Sequence, residues 1–419
     1  MGMHQLKLMR EDEHSGGVTI YQRYARVSML IGIITAIAFC TLYLLHIFPI
    51  PQLEDWLIRQ WFSMRGERHA PPDIVIITID NESLRRLGRW PWRRYVHAKL
   101  LRRLRQAQVV LMDILFIERE REHPNDDVEL RTAMLEAGNV LLPILRMDEV
   151  RAPVDEERRA LAKMRMFAYP FGDAPHSVTL PISALRAPMA SLMDACAGVG
   201  IAYSRPDSIG IYRRIPLGVL VSHERWRGKD TKVVIYPSVV LEAVRIALGL
   251  GRANIQFADA SVQLGNIMTV RTPAGATSGW LMDINFAGGR HAFSQYPYYL
   301  VHDGRIPPSE FRNKVVLVGF TAQGLYDIRP SPFDPLTYGV EILANAIYTL
   351  LHRQAFTYIP PGVVLILVLA VGLASGWILP RVNPLLAFLL FVFMLVGITF
   401  IALKLFSINV MFPASPLYL

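Results

Sequence analysis

Cysteine is nearly missing from these 419 residues. Cys40 and Cys196 are the two present, enough for one bridge at most, so a disulfide-stapled secreted miniprotein is excluded. Charge is scarce too, 19% of residues against 52% hydrophobic, which is too apolar for an ordinary soluble enzyme and too core-forming for a disordered chain or a collagen-like fibre. Catalytic signatures are also missing. The sequence has no Gly-x-x-x-x-Gly-Lys-Ser/Thr phosphate loop, no Gly-x-Ser-x-Gly elbow, no His-Glu-x-x-His zinc motif and no Cys-x-x-Cys pair. Acidic residues vanish altogether after Pro361.

What is present instead is a terminal concentration of apolar residues. Val27 to Phe48 holds twenty-two residues without a formal charge, on the order of 33 Å of helix against a hydrocarbon core of about 30 Å. Residues 1-26 form a tail in which Lys7, Arg10, Arg23 and Arg26 outnumber Glu11, Asp12 and Glu13, so residues 27-48 are expected to be an uncleaved anchor with its N-terminus in the cytoplasm. A cleaved signal peptide would need a shorter apolar run and a small-residue cleavage site, which Phe48-Pro49-Ile50-Pro51 does not offer. Residues 361-379 and 385-403 read as a transmembrane hairpin turning at Pro380 to Pro384, and residues 410-419 as the start of a fourth, truncated span.

That topology puts residues 49-359 outside the membrane as one extracytoplasmic domain with 38 basic and 32 acidic residues. Long translocated domains tolerate such a charge. Anionic lipid is the expected neighbour of this basic surface; nucleic acid is not, despite an isoelectric point of about 9.6. Cys40 and Cys196 fall in different compartments, so no intrachain disulfide is expected.

Inside the domain, strand-like and helical patterns alternate. Strands are expected at Asp73 to Asp80, Val109 to Phe116 and Val140 to Leu145, with helices at 95-107 and from Asn125 or Asp126 to Ala137, closed by Gly138. This order predicts an α/β fold with a largely parallel sheet in which those three strands are neighbours. Residues 148-190 read as an irregular, proline-rich insertion. Further strands are expected at Gly198 to Tyr203, Ile215 to Val221, Val262 to Arg271, Leu281 to Phe286 and Val315 to Phe320, with helices at Pro237 to Leu248 and Gly339 to His352.

Chemically, the sharpest feature is a set of carboxylates. Asp80 and Asp113 lie at strand ends, where open α/β sheets place ligands, and Asp126, Asp127 and Asp327 could approach the same rim. Their oxygens would suit magnesium or calcium; the blander role is helix capping or pairing with the arginines of 85-105. Arg89-Trp90-Pro91-Trp92-Arg93-Arg94 could hold an anionic or planar ligand, anchor to lipid headgroups, or simply staple the following helix. A ligand site at Asp80, Trp90, Trp92, Arg93 and Asp113 is therefore expected, with no catalytic residue, metal or cofactor assigned.

The order of these motifs resembles a known family. Asp80-Asn81-Glu82-Ser83-Leu84, Leu87 to Trp92 with His97, Asp113 to Phe116 followed by Asp126-Asp127, Pro206-Asp207 through Arg213 to Leu217, Ile284-Asn285-Phe286, Lys314 to Gly319 with Thr321-Ala322 and Gly324 to Asp327, and Gly339-Val340-Glu341 with Ala344-Asn345-Ala346 are together similar to the type-two CHASE domain, the cyclase- and histidine-kinase-associated sensory extracellular domain. Two positions depart from that pattern: Ile209 where an acidic residue is expected before Gly210, and Tyr338 where proline is expected before Gly339. The resemblance implies the sensory input module of a bacterial transmembrane receptor. It also implies homodimerisation, a small extracytoplasmic ligand, and a nucleotide cyclase, diguanylate cyclase or kinase as effector, following in cis or recruited in trans. The competing expectation is an anchored periplasmic metal-dependent hydrolase.

Overall fold

A strand that is apolar at every position has no face to give to water and must run between two covering layers. Ile74–Ile79 (β1) is such a strand, buried at all six positions, and so is Val109–Met112 (β2). Both lie in the computed structural model of the chain, which describes residues 27, 29–35, 37–38, 41, 50–147, 154–171, 179–204, 206–223, 232–272, 279–322, 324–325, 327–378 and 381–412. The described residues form two compact units, one of those within 66–356 and one of those up to residue 65 together with those from 357 on.

The 66–356 unit is organised by a parallel sheet. With Val140–Arg146 as β3, Gly198–Ile201 as β4, Ser294–Pro297 as β5 and Val315–Phe320 as β6, the strand order is β5-β1-β6-β2-β3-β4, and every one of these pairs is parallel. A short antiparallel strand, Leu185–Arg186, adds to the far end of β3. The expected parallel α/β sheet is present, with one correction: the strands ending near Asp80 and Asp113 are not neighbours, because β6 lies between them. Consecutive strands are adjacent only as a tendency, and β6, apolar on both faces and buried at its first five positions, belongs at the centre of a sheet rather than at its edge.

Helices cover both faces. Arg94–Arg103 (α1) and Asn125–Ala137 (α2) pack together on one side, where Val96, Leu100, Leu101, Leu130 and Met134 join Val75, Ile77, Val110 and Met112 in a single core. Val239–Ala247 (α3) and Gly339–Leu351 (α4) pack together on the other. Ser238 caps α3 by accepting from the Leu241 N–H (3.2 Å), the role expected of a serine one residue before a helix. Where β4 meets α3, Gly200 allows the two backbones to touch: a Cβ there would lie 2.5 Å from the Val239 nitrogen. Gly200→Ala is therefore expected to destabilise the domain by about 1–3 kcal/mol, the usual cost of overpacking, as a lowered denaturation midpoint at unchanged slope.

Several local expectations are refined. The 148–190 stretch is not wholly irregular, since Asp155–Met164 is a helix that buries Ala160, Leu161 and Met164. Val262 to Arg271 is a hairpin of Ser261–Leu264 and Met268–Arg271, turned at Gly265. Lys232–Pro237, paired antiparallel with Gly218–His223, and the edge strand β5 were not anticipated from pattern.

In the other unit, Ile50–Arg65 is a helix whose Trp61 and Phe62 pack on Phe406, with ring centroids 5.8 and 4.9 Å apart. Pro384–Ser407, started by Asn383 accepting from the Leu386 N–H (2.8 Å), is long and apolar enough to cross a membrane; Gly362–Ile378 is apolar but shorter. The cytoplasmic tail expected at 1-26, half of the expected 27-48 span and the 413–419 part of the expected fourth span lie outside the described residues.

Candidate ligand-binding site

Six parallel strands end on the same side of the sheet, and over their carboxyl ends the 66–356 unit opens a cavity of about 680 Å³. Its floor is read off the strand termini: Asp113 follows β2, Phe320 ends β6, Leu145 and Arg146 end β3, and Ala202, Tyr203 and Ser204 follow β4. Its walls come from three loops and a helix. Trp90 and Pro91 enter from one loop, Tyr212 from a second, Asp327 and Arg329 from a third, while Gly339, Ile342 and Leu343 present the first turns of α4.

Asp113 is fixed from its backbone outward. Its N–H donates to the Val318 carbonyl (2.9 Å), continuing the β2–β6 ladder one residue past the strand. The side chain keeps part of its surface open to the cavity while protein closes around the rest. Burial pushes its carboxyl up to about 6, the negative charge of Asp327 adds to this, and Arg329 opposes it. Arg329 is itself engaged by Asp327 (Nε to Oδ2, 2.7 Å) and lies over the Tyr212 ring (4.6 Å). Across the cavity, Arg146 lies over the Tyr203 ring (4.8 Å). Among the described residues, neither Asp113 nor Arg146 has an ion-pair partner.

The wall that carries Tyr212 is held by a buried charge network. Asp207 Oδ1 accepts from the N–H groups of Ile209 (3.1 Å) and Ile211 (2.9 Å), and its Oδ2 takes Arg213 Nε (2.8 Å). Arg213 continues to Asp283 (2.5 Å), which also receives Arg214 (3.0 Å). The Ile209 departure is thereby explained: one carboxylate, Asp207, satisfies the turn, and residue 209 contributes its backbone N–H.

The expected site residues divide into three groups. Trp90 and Asp113 line the rim cavity, joined by Asp327. Trp92 and Arg93 line a neighbouring depression of about 560 Å³ that shares Trp90 and Pro91 with it. The indole N–H of Trp92 donates to the Gly88 carbonyl (2.8 Å), and Arg93 forks onto Asp126 (2.9 and 3.0 Å), a pairing that holds the Asp126 carboxyl below its usual range. Asp80 lines neither cavity. It caps the helix Asn81–Leu87, its Oδ1 accepting from the Ser83 N–H (2.7 Å). Asp127 forms an ion pair with Arg94 (2.5 Å), without hydrogen-bond alignment. His97 packs against Trp90, Trp92, Phe116 and Tyr298 with Nδ1 2.9 Å from the Tyr298 hydroxyl; burial pushes it down to about 3, so it stays neutral.

Arg146, Tyr203, Tyr212 and Arg329 were not anticipated. The first two stand at or just past strand ends, so the rule that located Asp113 would have found them; the other two come from loops that no periodicity marks. Among the described residues, no three His, Cys, Asp or Glu side chains converge closely enough to hold a metal ion.

A cavity at the carboxyl ends of parallel strands is where open α/β folds place their ligands. Residues 34–378, most of the chain, match the CHASE2 domain family, and the chain belongs to it. CHASE2 domains are extracellular sensory domains, not catalytic ones. No curated protein and no solved structure is significantly similar to the chain.

The remaining family motifs meet around α4. Asn345 Oδ1 accepts from the Ala287 N–H (2.8 Å), and Thr349 accepts from the Asn285 N–H (3.0 Å). Glu341, buried at the N-terminal end of the helix, accepts from the His291 N–H and from Gln295 (2.7 Å each), and burial raises its carboxyl. Tyr326 lies outside the described residues.

Proposed function

We propose that this chain is the extracytoplasmic input module of a bacterial transmembrane receptor. A small molecule binds in the cavity over the strand ends, and α4 carries the consequence toward the membrane. The observation that carries this reading is the dual role of α4. Its first turns line the cavity through Gly339, Ile342 and Leu343, and it ends at Leu351, its thirteenth residue, shortly before the chain leaves this unit at Thr357. A ligand that fits two placements of that helix unequally shifts their populations by its differential affinity. Residues 27-48, 361-379 and 385-403 serve as spans, residues 49-359 lie outside the membrane, and two copies act together on a cytoplasmic cyclase, diguanylate cyclase or kinase supplied in cis or in trans.

Orientation is tested with a single thiol. Val128 is 62% exposed; with Cys40 and Cys196 changed to serine, Val128→Cys is expected to react with a membrane-impermeant maleimide once the outer membrane alone is opened. Labelling that needs a permeabilised inner membrane contradicts the placement. Function is tested on the full chain in lipid nanodiscs, screened against periplasmic metabolites with phosphoester and ester hydrolysis followed in parallel. Saturable binding without turnover is expected, whereas metal-dependent turnover abolished by Asp80→Asn and Asp113→Asn would establish the hydrolase instead.

A further inference from the structure

We infer that the ligand of the rim cavity is a small zwitterion of the amino-acid type, its ammonium held by Asp113, its carboxylate by Arg146 and its apolar body by Trp90 and Phe320. The inference rests on the sensory reading of this cavity and adds to it the chemistry of the ligand.

Among the described residues, four charged side chains line the cavity, and they are not equivalent. Asp327 and Arg329 neutralise each other at 2.7 Å. Asp113 and Arg146 line the same space without forming an ion pair with each other or with any other described residue. A partly buried carboxylate and a guanidinium left apart in one cavity each lack the partner that would compensate their desolvation. One ligand bearing both complementary charges compensates them together; a lone cation or anion leaves one of them as it was.

The side-chain geometry fits that division. A guanidinium carries its donors in its own plane, so Arg146, with one face on Tyr203, keeps in-plane N–H groups suited to a carboxylate fork. An ionised carboxylate is acceptor-only and suits an ammonium, which is donor-only. Trp90 is braced edge-on by Phe320 (ring centroids 4.9 Å), giving a fixed aromatic wall. The volume of about 680 Å³ falls within the roughly 300–1,000 Å³ of small-molecule sites and leaves room for an apolar side chain. The absence of any three-ligand metal cluster among the described residues leaves Asp113 available to an organic cation.

The test uses the full chain in nanodiscs and three probes of matched size: L-phenylalanine, phenethylamine, which lacks the carboxylate, and 3-phenylpropionate, which lacks the ammonium. Calorimetry is expected to show saturable binding of phenylalanine, with each half-analogue weaker by about 10-fold or more, the worth of a charge-assisted contact. Asp113→Asn should weaken phenylalanine and phenethylamine by about 10- to 100-fold and leave 3-phenylpropionate unchanged; Arg146→Gln should weaken phenylalanine and 3-phenylpropionate by a similar factor and leave phenethylamine unchanged. A cooperative unfolding transition in each variant shows that the loss is not misfolding. Half-analogues that bind as well as the zwitterion, variants that do not separate the two charges, or no binding of any of the three would overturn the inference. If periplasmic metabolites of another chemical class bind saturably while all three probes fail, the zwitterion assignment falls and the sensory reading stands; if no metabolite binds at all, both fall.

Discussion

Replacing Asp207 by alanine is expected to destabilise the full chain by about 3–5 kcal/mol, the cost of leaving a buried ion without its partner. Arg213 is 1% exposed and divides its charge between Asp207 and Asp283. The same alanine removes the acceptor for the Ile209 and Ile211 N–H groups, so the turn that leads to Tyr212 loses its internal support as well. Asp207→Asn separates the two effects: it keeps a carbonyl for the turn but surrenders the charge, and its loss should be smaller. Denaturant unfolding followed by tryptophan fluorescence measures both. An alanine variant within 1 kcal/mol of the parent would show that the network is not what holds this wall of the cavity.

Asp113→Asn should act in opposite directions on stability and on binding. The folded protein holds the Asp113 carboxyl up at about 6, against an ordinary value of 3.8. Below about pH 3 the group is protonated in both folded and unfolded chains and contributes nothing. As pH rises from about 4 to about 6 the unfolded chain ionises first, so stability falls, and above 6 the penalty is complete. With Asp327 and Arg329 as the charged groups facing it, the asparagine variant should be more stable than the parent at pH 7 by on the order of 3 kcal/mol and equal to it at pH 3. Affinity for a cationic ligand should run the other way, falling in the parent as pH drops through 6 and remaining low at every pH in the variant. A parent whose stability and affinity are flat between pH 4 and 7 would remove Asp113 from the site. Such an exchange of stability for function is expected where a charge is kept desolvated for a ligand.

The sheet was legible because its strands are uniformly apolar and its helices are periodic. β1, β2, β4 and β6 fall within expected segments, β3 runs one residue past the expected Leu145, and α4 ends one residue short of the expected His352. The strand order was not, since nothing local in Val315 to Phe320 states that it lies between two strands that precede it by two hundred residues. β5, Ser-Gln-Tyr-Pro, carries no apolar alternation at all and pairs only along one edge. Of the expected site residues, Asp113 stands past a strand end over the sheet and Trp90 lines the same cavity. Asp80 also stands at a strand end, but that position is a helix start as well, and there the Ser83 N–H takes its carboxylate. Arg93 was drawn away by Asp126, thirty-three residues later, a pairing that only the tertiary fold creates.

That occupancy of the rim cavity is what α4 reports is tested most directly by joining the chain to a nucleotide cyclase catalytic domain and measuring cyclic nucleotide in intact cells supplied with periplasmic metabolites. Ala202 lines the cavity, and Ala202→Trp would fill much of it; Val128→Trp adds the same ring at an exposed site on α2. The sensory reading predicts that the parent and Val128→Trp respond alike, while Ala202→Trp holds its output at one level whatever is added. Equal responses from all three would show that the cavity is not the input of this protein.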